Sequence, residues 1–223
     1  MSDETPPTRP PLRIAHISDA HGRADDMLWT IEEVPDLWVS TGDFFPNQSY
    51  GDLSVEPRFQ AGWFRRNATR IREALRDRPI LVVDGNHDFI PLGENLRRIG
   101  VNAIDVPYDG IEVEGVRFAG FREIPYINGR WAGELYPQEF VRIVDRVFDA
   151  DPTVLVTHAP PAGILSGPWG VTALTPALAY RTHRIRTHLF GHVHEYGGHL
   201  YEEYDVRFVN SAETVTVLSI DRG

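Results

Sequence analysis

Aspartate, asparagine and histidine residues occur in five short clusters spread along the chain. In chain order these are Asp19-Ala20-His21, Gly42-Asp43, Gly85-Asn86-His87-Asp88, His158 within Thr157–Pro161, and Gly191-His192-Val193-His194. Carboxylate, imidazole and amide groups suit hard to borderline divalent metals. The chain has no cysteine, so thiolate ligands are excluded. The clusters therefore indicate a metal site built from oxygen and imidazole nitrogen.

Each cluster directly follows a short apolar run of strand length. The runs are Leu12–Ile17, Leu37–Thr41, Ile80–Val83, Thr153–Val156 and Thr187–Phe190. They are rich in β-branched residues and are bounded by Gly, Pro or Asp, which is typical of strands. In open α/β sheets, ligands bind at the carboxyl ends of the strands. We therefore expect the five clusters to meet at one edge of the fold.

Helical patterns lie between these predicted strands. In Arg58–Arg76, one face carries Phe64, Ala68, Ile71 and Leu75. A second helix is predicted over Pro137–Asp149, and a shorter one over Asp25–Val34. Strands that alternate with helices indicate a layered α/β fold.

Two sections have a different, strand-turn-strand pattern. They are Asn102–Phe121 and Gly198–Ile220, and the first contains the turn signals Asp109-Gly110 and Glu114-Gly115. Strand pairs mixed with helices predict two sheets packed together, with helices outside. We expect a flexible tail over residues 1–11 and a single domain over residues 12–223.

The composition limits the class of partner. The chain has 223 residues and a formal net charge of -10, which disfavours binding to long nucleic acid through phosphate contacts. It contains neither an apolar run of membrane-spanning length nor a signal-peptide pattern at its start. We therefore expect a cytoplasmic protein with a small substrate and no membrane association. The sequence leaves the oligomeric state open.

Five clusters in this order resemble the calcineurin-like metallophosphoesterase superfamily, and the resemblance extends over about Leu12–Ile220. It implies a four-layer α-β-β-α sandwich of two mixed sheets with flanking helices. The stretches Thr157–Pro161 and Gly191–Gly198 look like the small metallophosphoesterases related to class III cyclic-nucleotide phosphodiesterases, including the brain metallophosphoesterase-domain proteins.

The resemblance also implies a role for each clustered residue. It implies two divalent metal ions, with manganese expected and iron or zinc as alternatives. One ion would be held by Asp19, His21, Asp43 and His194, and the other by Asp43, Asn86, His158 and His192. A metal-bridging hydroxide would be the nucleophile. His87 would face the substrate and stabilise the phosphoryl oxygens or protonate the leaving alkoxide.

The second cluster departs from the superfamily pattern. Many members read Gly-Asp-x-x-Asp, and the later Asp supports the histidine that corresponds to His87. Here Pro46 occupies that position, so the orienting partner of His87 is open, with Asp88 and Asp52 as candidates. The Gly-Asp-x-x-Asp-Arg-Gly pattern of Ser/Thr protein phosphatases is also broken, which disfavours that activity.

These observations predict an enzyme that hydrolyses small phosphodiesters, such as cyclic nucleotides. Alternatives are a phosphomonoesterase, a nucleotide pyrophosphohydrolase, or a non-catalytic scaffold of the same fold. A nuclease is disfavoured by the acidic charge and the small size. All the clustered residues are present, which favours catalysis over a scaffold.

Several further features have two interpretations each. Tyr126 or Trp131, and the loop Ser166–Gly170, either line a nucleobase pocket or pack in ordinary surface loops. The arginines of the 58–78 segment either form a basic wall that meets phosphorylated substrates or lie on a solvated helix face, and the second interpretation is favoured. His16 and His188 are predicted to be buried or edge histidines, and His183 and His199 are assigned no role.

Overall fold

A computed structural model describes residues 9–222, so most of the predicted tail lies outside the described residues. The strands are β1 (Leu12–Ile17), β2 (Leu37–Ser40), β3 (Ile80–Val82), β4 (Ala103–Asp105), β5 (Ile111–Val113), β6 (Val116–Phe121), β7 (Ile124–Pro125), β8 (Glu134–Leu135), β9 (Val154–Thr157), β10 (Thr187–Phe190), β11 (Leu200–Glu203), β12 (Val206–Asn210) and β13 (Val215–Ile220). The helices are α1 (Ala24–Trp29), α2 (Glu56–Leu75), α3 (Leu92–Arg98), α4 (Pro137–Asp149) and α5 (Leu174–Tyr180).

Two mixed sheets form the centre of the structure. The first has the strand order β13-β1-β2-β3-β4, and the second has the order β11-β12-β10-β9-β6-β5. Strands β1 to β4 pair in parallel, as do β6, β9, β10 and β12, whereas β13, β11 and β5 pair antiparallel at the edges. A small separate sheet joins β7 and β8.

Side-chain alternation along the strands produces four layers. In β1, Leu12 and Ile14 join a core between the two sheets, while Ala15 and Ile17 face a second core that includes α1, α2 and α3. A third core covers the outer face of the second sheet with α4 and α5. The predicted four-layer sandwich of two mixed sheets with flanking helices is confirmed.

All three predicted helices are present, and two of them differ from the predictions at their ends. Helix α4 has the predicted bounds, and α2 begins two residues earlier than predicted. The prediction for α1 was wrong at its end, since this helix stops at Trp29 and not at Val34. The Thr30 hydroxyl donates to the Met27 carbonyl oxygen at 2.7 Å, which competes with further helical hydrogen bonds. No helix within residues 9–222 is long and apolar enough to span a membrane.

The two turn signals have different outcomes. Glu114 and Gly115 both have positive φ, 53° and 80°, and they connect β5 and β6 as a hairpin. The turn at Asp109-Gly110 instead leads from β4 to β5, which belong to different sheets. It is therefore a crossover and not a hairpin.

Two buried histidines support the strand ends without reaching the clusters. The His16 ring lies 2.8 Å from both the Thr41 and Ser211 hydroxyl oxygens, and the His188 ring lies 2.7 Å from the Thr157 hydroxyl. Both rings are fully buried, as predicted for a core position. Burial lowers the pKa of each ring to about 3, so both are neutral at neutral pH.

Because these two buried histidines are neutral, we expect the stability of the protein to decrease in acid. Below the ordinary histidine pKa of about 6.5, the unfolded chain binds protons that folded His188 does not bind. The free energy of unfolding should therefore fall as pH drops from about 6.5 towards 4. In His188→Gln, measured by urea titration of metal-free protein, this slope should decrease by up to about 1.4 kcal/mol per pH unit. The exposed His199→Gln variant should keep the wild-type slope, and an unchanged slope in His188→Gln would contradict the assignment.

Candidate metal centre

The clusters that follow β1 and β10 form one half of the site. The Nε2 atom of His194 lies 3.1 Å from Oδ1 of Asp19 and 3.4 Å from Nε2 of His21. The other Asp19 oxygen accepts hydrogen bonds from the Ser18 hydroxyl at 2.6 Å and the His192 backbone N–H at 2.9 Å. Asp19 is therefore held from one side and presents Oδ1 to the two imidazoles.

The clusters that follow β2, β3, β9 and β10 form the other half. The Nε2 atom of His158 lies 2.9 Å from Oδ1 of Asn86, 3.2 Å from Nδ1 of His192 and 3.4 Å from Oδ2 of Asp43. Its Nδ1 atom lies 2.7 Å from the Thr41 carbonyl oxygen. This contact orients His158 so that Nε2 faces the cluster.

Asp43 lies between the two halves. Potential ligand atoms of Asp43 and His21 are within 4.8 Å of each other, and the same holds for Asp43, Asp19 and His158. One carboxylate oxygen accepts from the His87 backbone N–H at 2.7 Å, and the other is 4.0 Å from His87 Nε2. The structure thus brings together every residue that the sequence predicted for the site.

Unusual backbone conformations turn these side chains into the site. Asp19, His21, Asp43 and His192 have φ values of 51°, 44°, 52° and 68°, which non-glycine residues seldom adopt. Four such residues meet at this site, where the surrounding loops must hold backbone conformations that are costly for non-glycine residues. A side chain at Gly85 would place its first carbon 2.1 Å from Oδ1 of Asp43, so glycine is required for the close approach of these loops.

The electrostatics of the site are dominated by two buried carboxylates. Burial alone would raise the pKa of Asp19, but the hydrogen bond with His194 and the charge of His158 outweigh it and lower the pKa. Burial would also raise the pKa of Asp43, but the charge of His158 outweighs this effect and lowers the pKa. Burial disfavours the His158 cation, yet Asp43 raises the pKa of His158 to about 9. In the metal-free chain, protonated His158 therefore compensates buried negative charge.

The donor set fits divalent metal ions. Ligands about 2.1 Å from one ion are about 3.0 to 3.4 Å apart when their angles are between right-angled and tetrahedral. The contacts among the ligand atoms of Asp19, His21 and His194, and those made by Nε2 of His158, fall at or close to this range, from 2.9 to 3.4 Å. The Nε2 atoms of His21 and His194, which are 3.4 Å apart, have the spacing of two ligands of one cation. The chain therefore has a candidate metal centre of oxygen and imidazole ligands.

Neither predicted candidate is the partner of His87. Asp88 accepts backbone N–H bonds from Phe44, Phe45 and Gly85 at 2.8 to 3.1 Å, and burial raises its pKa to about 7. Asp52 is exposed and bonds to Ser54. Both candidates were wrong, because Asp88 is used to join the loops after β2 and β3. His87 Nδ1 instead lies 2.5 Å from Oδ1 of Asn47.

An aromatic cleft of about 280 Å³ opens beside the cluster. Tyr50, Ile127, Trp131 and Trp169 line it together with the clustered residues. The Trp131 ring packs against His87 with centroids 4.3 Å apart. Trp131 and Trp169 therefore line this cleft, whereas Tyr126 stacks on Tyr136 with ring centroids 4.6 Å apart.

A single carboxylate shapes the loop that carries Trp131. Glu134 accepts hydrogen bonds from the backbone N–H groups of residues 127–131, at 2.7 to 3.0 Å. These bonds outweigh burial and lower the pKa of Glu134. Glu134 was not predicted from the sequence, although an acidic residue soon after Asn-Gly was the available signal.

Two packed mixed sheets with flanking helices and an aspartate–histidine cluster at the carboxyl ends of their strands define the metallophosphoesterase type of fold. The chain belongs to the calcineurin-like phosphoesterase family, whose model matches residues 12–196. A phosphoester hydrolase is the activity that this family indicates.

Individual relatives are distant. The UPF0046 protein K07C11.7 of Caenorhabditis elegans is 28% identical to this chain over a match of 240 residues. The match covers 94% of this chain and 73% of that protein. The structure of TT1561 from Thermus thermophilus has 14% identity and a TM-score of 0.59, and the match covers 94% of this chain and 99% of that one. The similarity to TT1561 supports the fold alone.

Metal binding should stabilise the protein, because ions that bind only the folded state raise its stability. We expect manganese or zinc to raise the melting temperature of chelator-treated protein in calorimetry. Asp43→Asn should lose most of this increase, since Asp43 lies between both halves of the site. Exposed Asp52→Asn is the control and should keep it. An equal increase in Asp43→Asn would contradict the assignment of this residue.

Proposed function

We propose that this protein hydrolyses small phosphodiesters with the help of two divalent metal ions. The single observation that carries the proposal is the convergence of two carboxylates, one amide and four imidazoles at one sheet edge, directly beside His87 and an open cleft. A scaffold would have no need of this complete donor set.

The contacts described above divide the site into two halves, and each half would hold one ion. Asp19, His21 and His194 would hold one ion, Asn86, His158 and His192 the other, and Asp43 would contact both. When bound, two such ions supply positive charge that polarises the phosphoryl group and lowers the pKa of water. Manganese is proposed first, with iron and zinc compatible with the same ligands.

His87 is proposed as the residue that acts on the substrate. Its ring lines the cleft, and Nε2 is 4.0 Å from the Asp43 carboxylate, on the side of the ligand cluster. From this position Nε2 can donate a hydrogen bond to a phosphoryl oxygen or a proton to the leaving oxygen. Burial lowers the pKa of His87, which makes the protonated ring a stronger acid.

The charge of the cleft favours diesters over monoesters. A phosphomonoester carries up to two negative charges, and proteins commonly bind such groups with arginine or lysine. None of the described residues that line the cleft is arginine or lysine. A singly charged diester needs less compensation, so the cleft suits it better.

The aromatic wall favours substrates with a flat ring. Trp169 is 43% exposed and Tyr50 is 65% exposed, so both rings offer faces for stacking. Stacking on such side chains tolerates different bases. A cyclic nucleotide combines a flat ring with a singly charged diester and is the substrate class that we propose.

The assay that tests this function compares two chromogenic substrates with manganese-loaded enzyme. We expect turnover of bis(p-nitrophenyl) phosphate to exceed that of p-nitrophenyl phosphate, because none of the described residues that line the cleft is an arginine or lysine that would compensate the second charge of the monoester. Chelator should abolish both activities. Preference for the monoester would contradict the phosphodiesterase proposal, and loss of neither activity with chelator would contradict metal dependence.

The ring preference predicts a selective effect of Trp169→Ala. The KM for bis(p-nitrophenyl) phosphate should rise roughly tenfold. The KM for methyl p-nitrophenyl phosphate, which has the same leaving group but no second ring, should change little. The exposed Trp29→Ala variant on α1 is the matched control. Equal changes for both substrates would show that Trp169 does not contact the second, non-leaving ring, and would contradict this assignment.

A further inference from the structure

The His87 ring is held at a fixed angle by three neighbours. Trp131 packs on it with centroids 4.3 Å apart, and the His21 ring meets it edge-on at 5.1 Å. Its Nδ1 atom lies 2.5 Å from Oδ1 of Asn47. The amide nitrogen of Asn47 is buried and has no hydrogen-bond partner among residues 9–222. The contact of Oδ1 with His87 is therefore the polar contact that orients the Asn47 side chain.

We propose that Asn47 is a positioning residue that keeps a proton on Nδ1 of His87 and thereby directs Nε2 into the cleft. An amide oxygen accepts hydrogen bonds and cannot donate them. The Nδ1 atom must therefore carry the hydrogen in this contact. In the neutral ring, Nε2 is then the nitrogen without a proton, and it faces Asp43 and the cleft.

This assignment explains how the chain functions with Pro46 in place of a carboxylate. Asn47, one residue later in the same loop, supplies the acceptor. The amide adds no negative charge to a region that already contains buried Asp19 and Asp43. Asn47 therefore orients the ring without adding a third carboxylate to the site.

Helix α2 holds the loop that carries Asn47. The fully buried carboxylate of Glu56 accepts from the backbone N–H groups of Gln48 and Ser49, at 2.7 to 3.0 Å. These bonds satisfy two buried carboxyl oxygens that would otherwise be costly to bury. They fix the backbone immediately after Asn47.

The same helix holds the loop that carries His87. Gln60 is fully buried, and its amide donates to the His87 carbonyl oxygen at 2.7 Å and accepts from the Phe89 N–H at 2.9 Å. Glu56 and Gln60 are four residues apart and therefore lie on one face of α2. One rigid helix thus sets the distance between Asn47 and His87.

The catalytic consequence rests on the proposed function. In that reaction a water oxygen forms a bond to phosphorus and the bond to the leaving oxygen breaks. A proton passes from Nε2 of His87 to the leaving oxygen, and the ring, now neutral, keeps its other proton on Nδ1. Water provides the proton that restores the ring. If the ring were free to rotate or to change tautomer, Nε2 would face the leaving oxygen in this protonation state for a smaller fraction of the time.

The first test is independent of turnover. Nitrogen-15 NMR of metal-free protein at pH 8, where an ordinary histidine is neutral, should show His87 protonated on Nδ1. In Asn47→Ala the signals should shift towards a mixture of both tautomers, and Asn47→Asp should restore the Nδ1-protonated form. A wild-type ring that carries its proton on Nε2 would overturn the proposal.

The second test uses a double-mutant cycle with metal-loaded enzyme. Asn47→Ala should lower kcat roughly tenfold or more, with a larger loss for phenyl than for p-nitrophenyl esters and with unchanged metal content. Asn47→Asp should recover most of kcat, and the exposed neighbour Gln48→Ala is the control. In a His87→Ala background, Asn47→Ala should cause little further loss.

Two outcomes distinguish failure of the Asn47 assignment from failure of the proposed function. If Asn47→Ala lowers kcat equally with and without His87, Asn47 does not act through this ring and the proposal is wrong. If no variant, including wild type, hydrolyses either ester, the proposed function fails, while the NMR result still decides the role of Asn47.

Discussion

The carboxylates of Asp19 and Asp43 are almost completely removed from solvent, and the compensation of their charge is the constraint on which the site depends. Isolated buried carboxylates are strongly unfavourable unless they are paired and hydrogen-bonded. Here Asp19 has hydrogen bonds from Ser18 and the His192 backbone, and Asp43 has one from the His87 backbone. Protonated His158 balances part of the charge in the metal-free chain. Bound cations would balance it with the same residues as ligands.

The rest of the fold supplies rigid positions for this cluster. Parallel strands from both sheets end at the same edge, and left-handed residues at the strand ends turn the ligands inward. Asp88 ties the loops after β2 and β3 through backbone N–H groups. Helix α2 serves two purposes, because Phe64 and Ile71 pack in the core while Glu56 and Gln60 reach the loops of the site. Stability of the core and geometry of the site are therefore coupled through one helix.

The sequence predicted the layered fold and the convergence of the five clusters because strand length, apolar content and polar strand ends are local signals. The bounds of β1, β10 and α4 match the predictions for the same reason. The partner of His87 was not predictable in this way. Asn47 and Asp88 are polar residues of similar size near the motifs, and only the path of the loops decides which one reaches Nδ1. Glu134 was missed because its hydrogen bonds depend on the backbone shape of the whole loop from Ile127 to Trp131.

We propose that this cluster holds two divalent metal ions with Asp43 between them. A crystal structure of manganese-loaded protein, with anomalous scattering recorded for manganese, tests it most directly. We expect two anomalous peaks, one among Asp19, His21, Asp43 and His194 and one among Asp43, Asn86, His158 and His192. A single peak, or peaks away from Asp43, would contradict it.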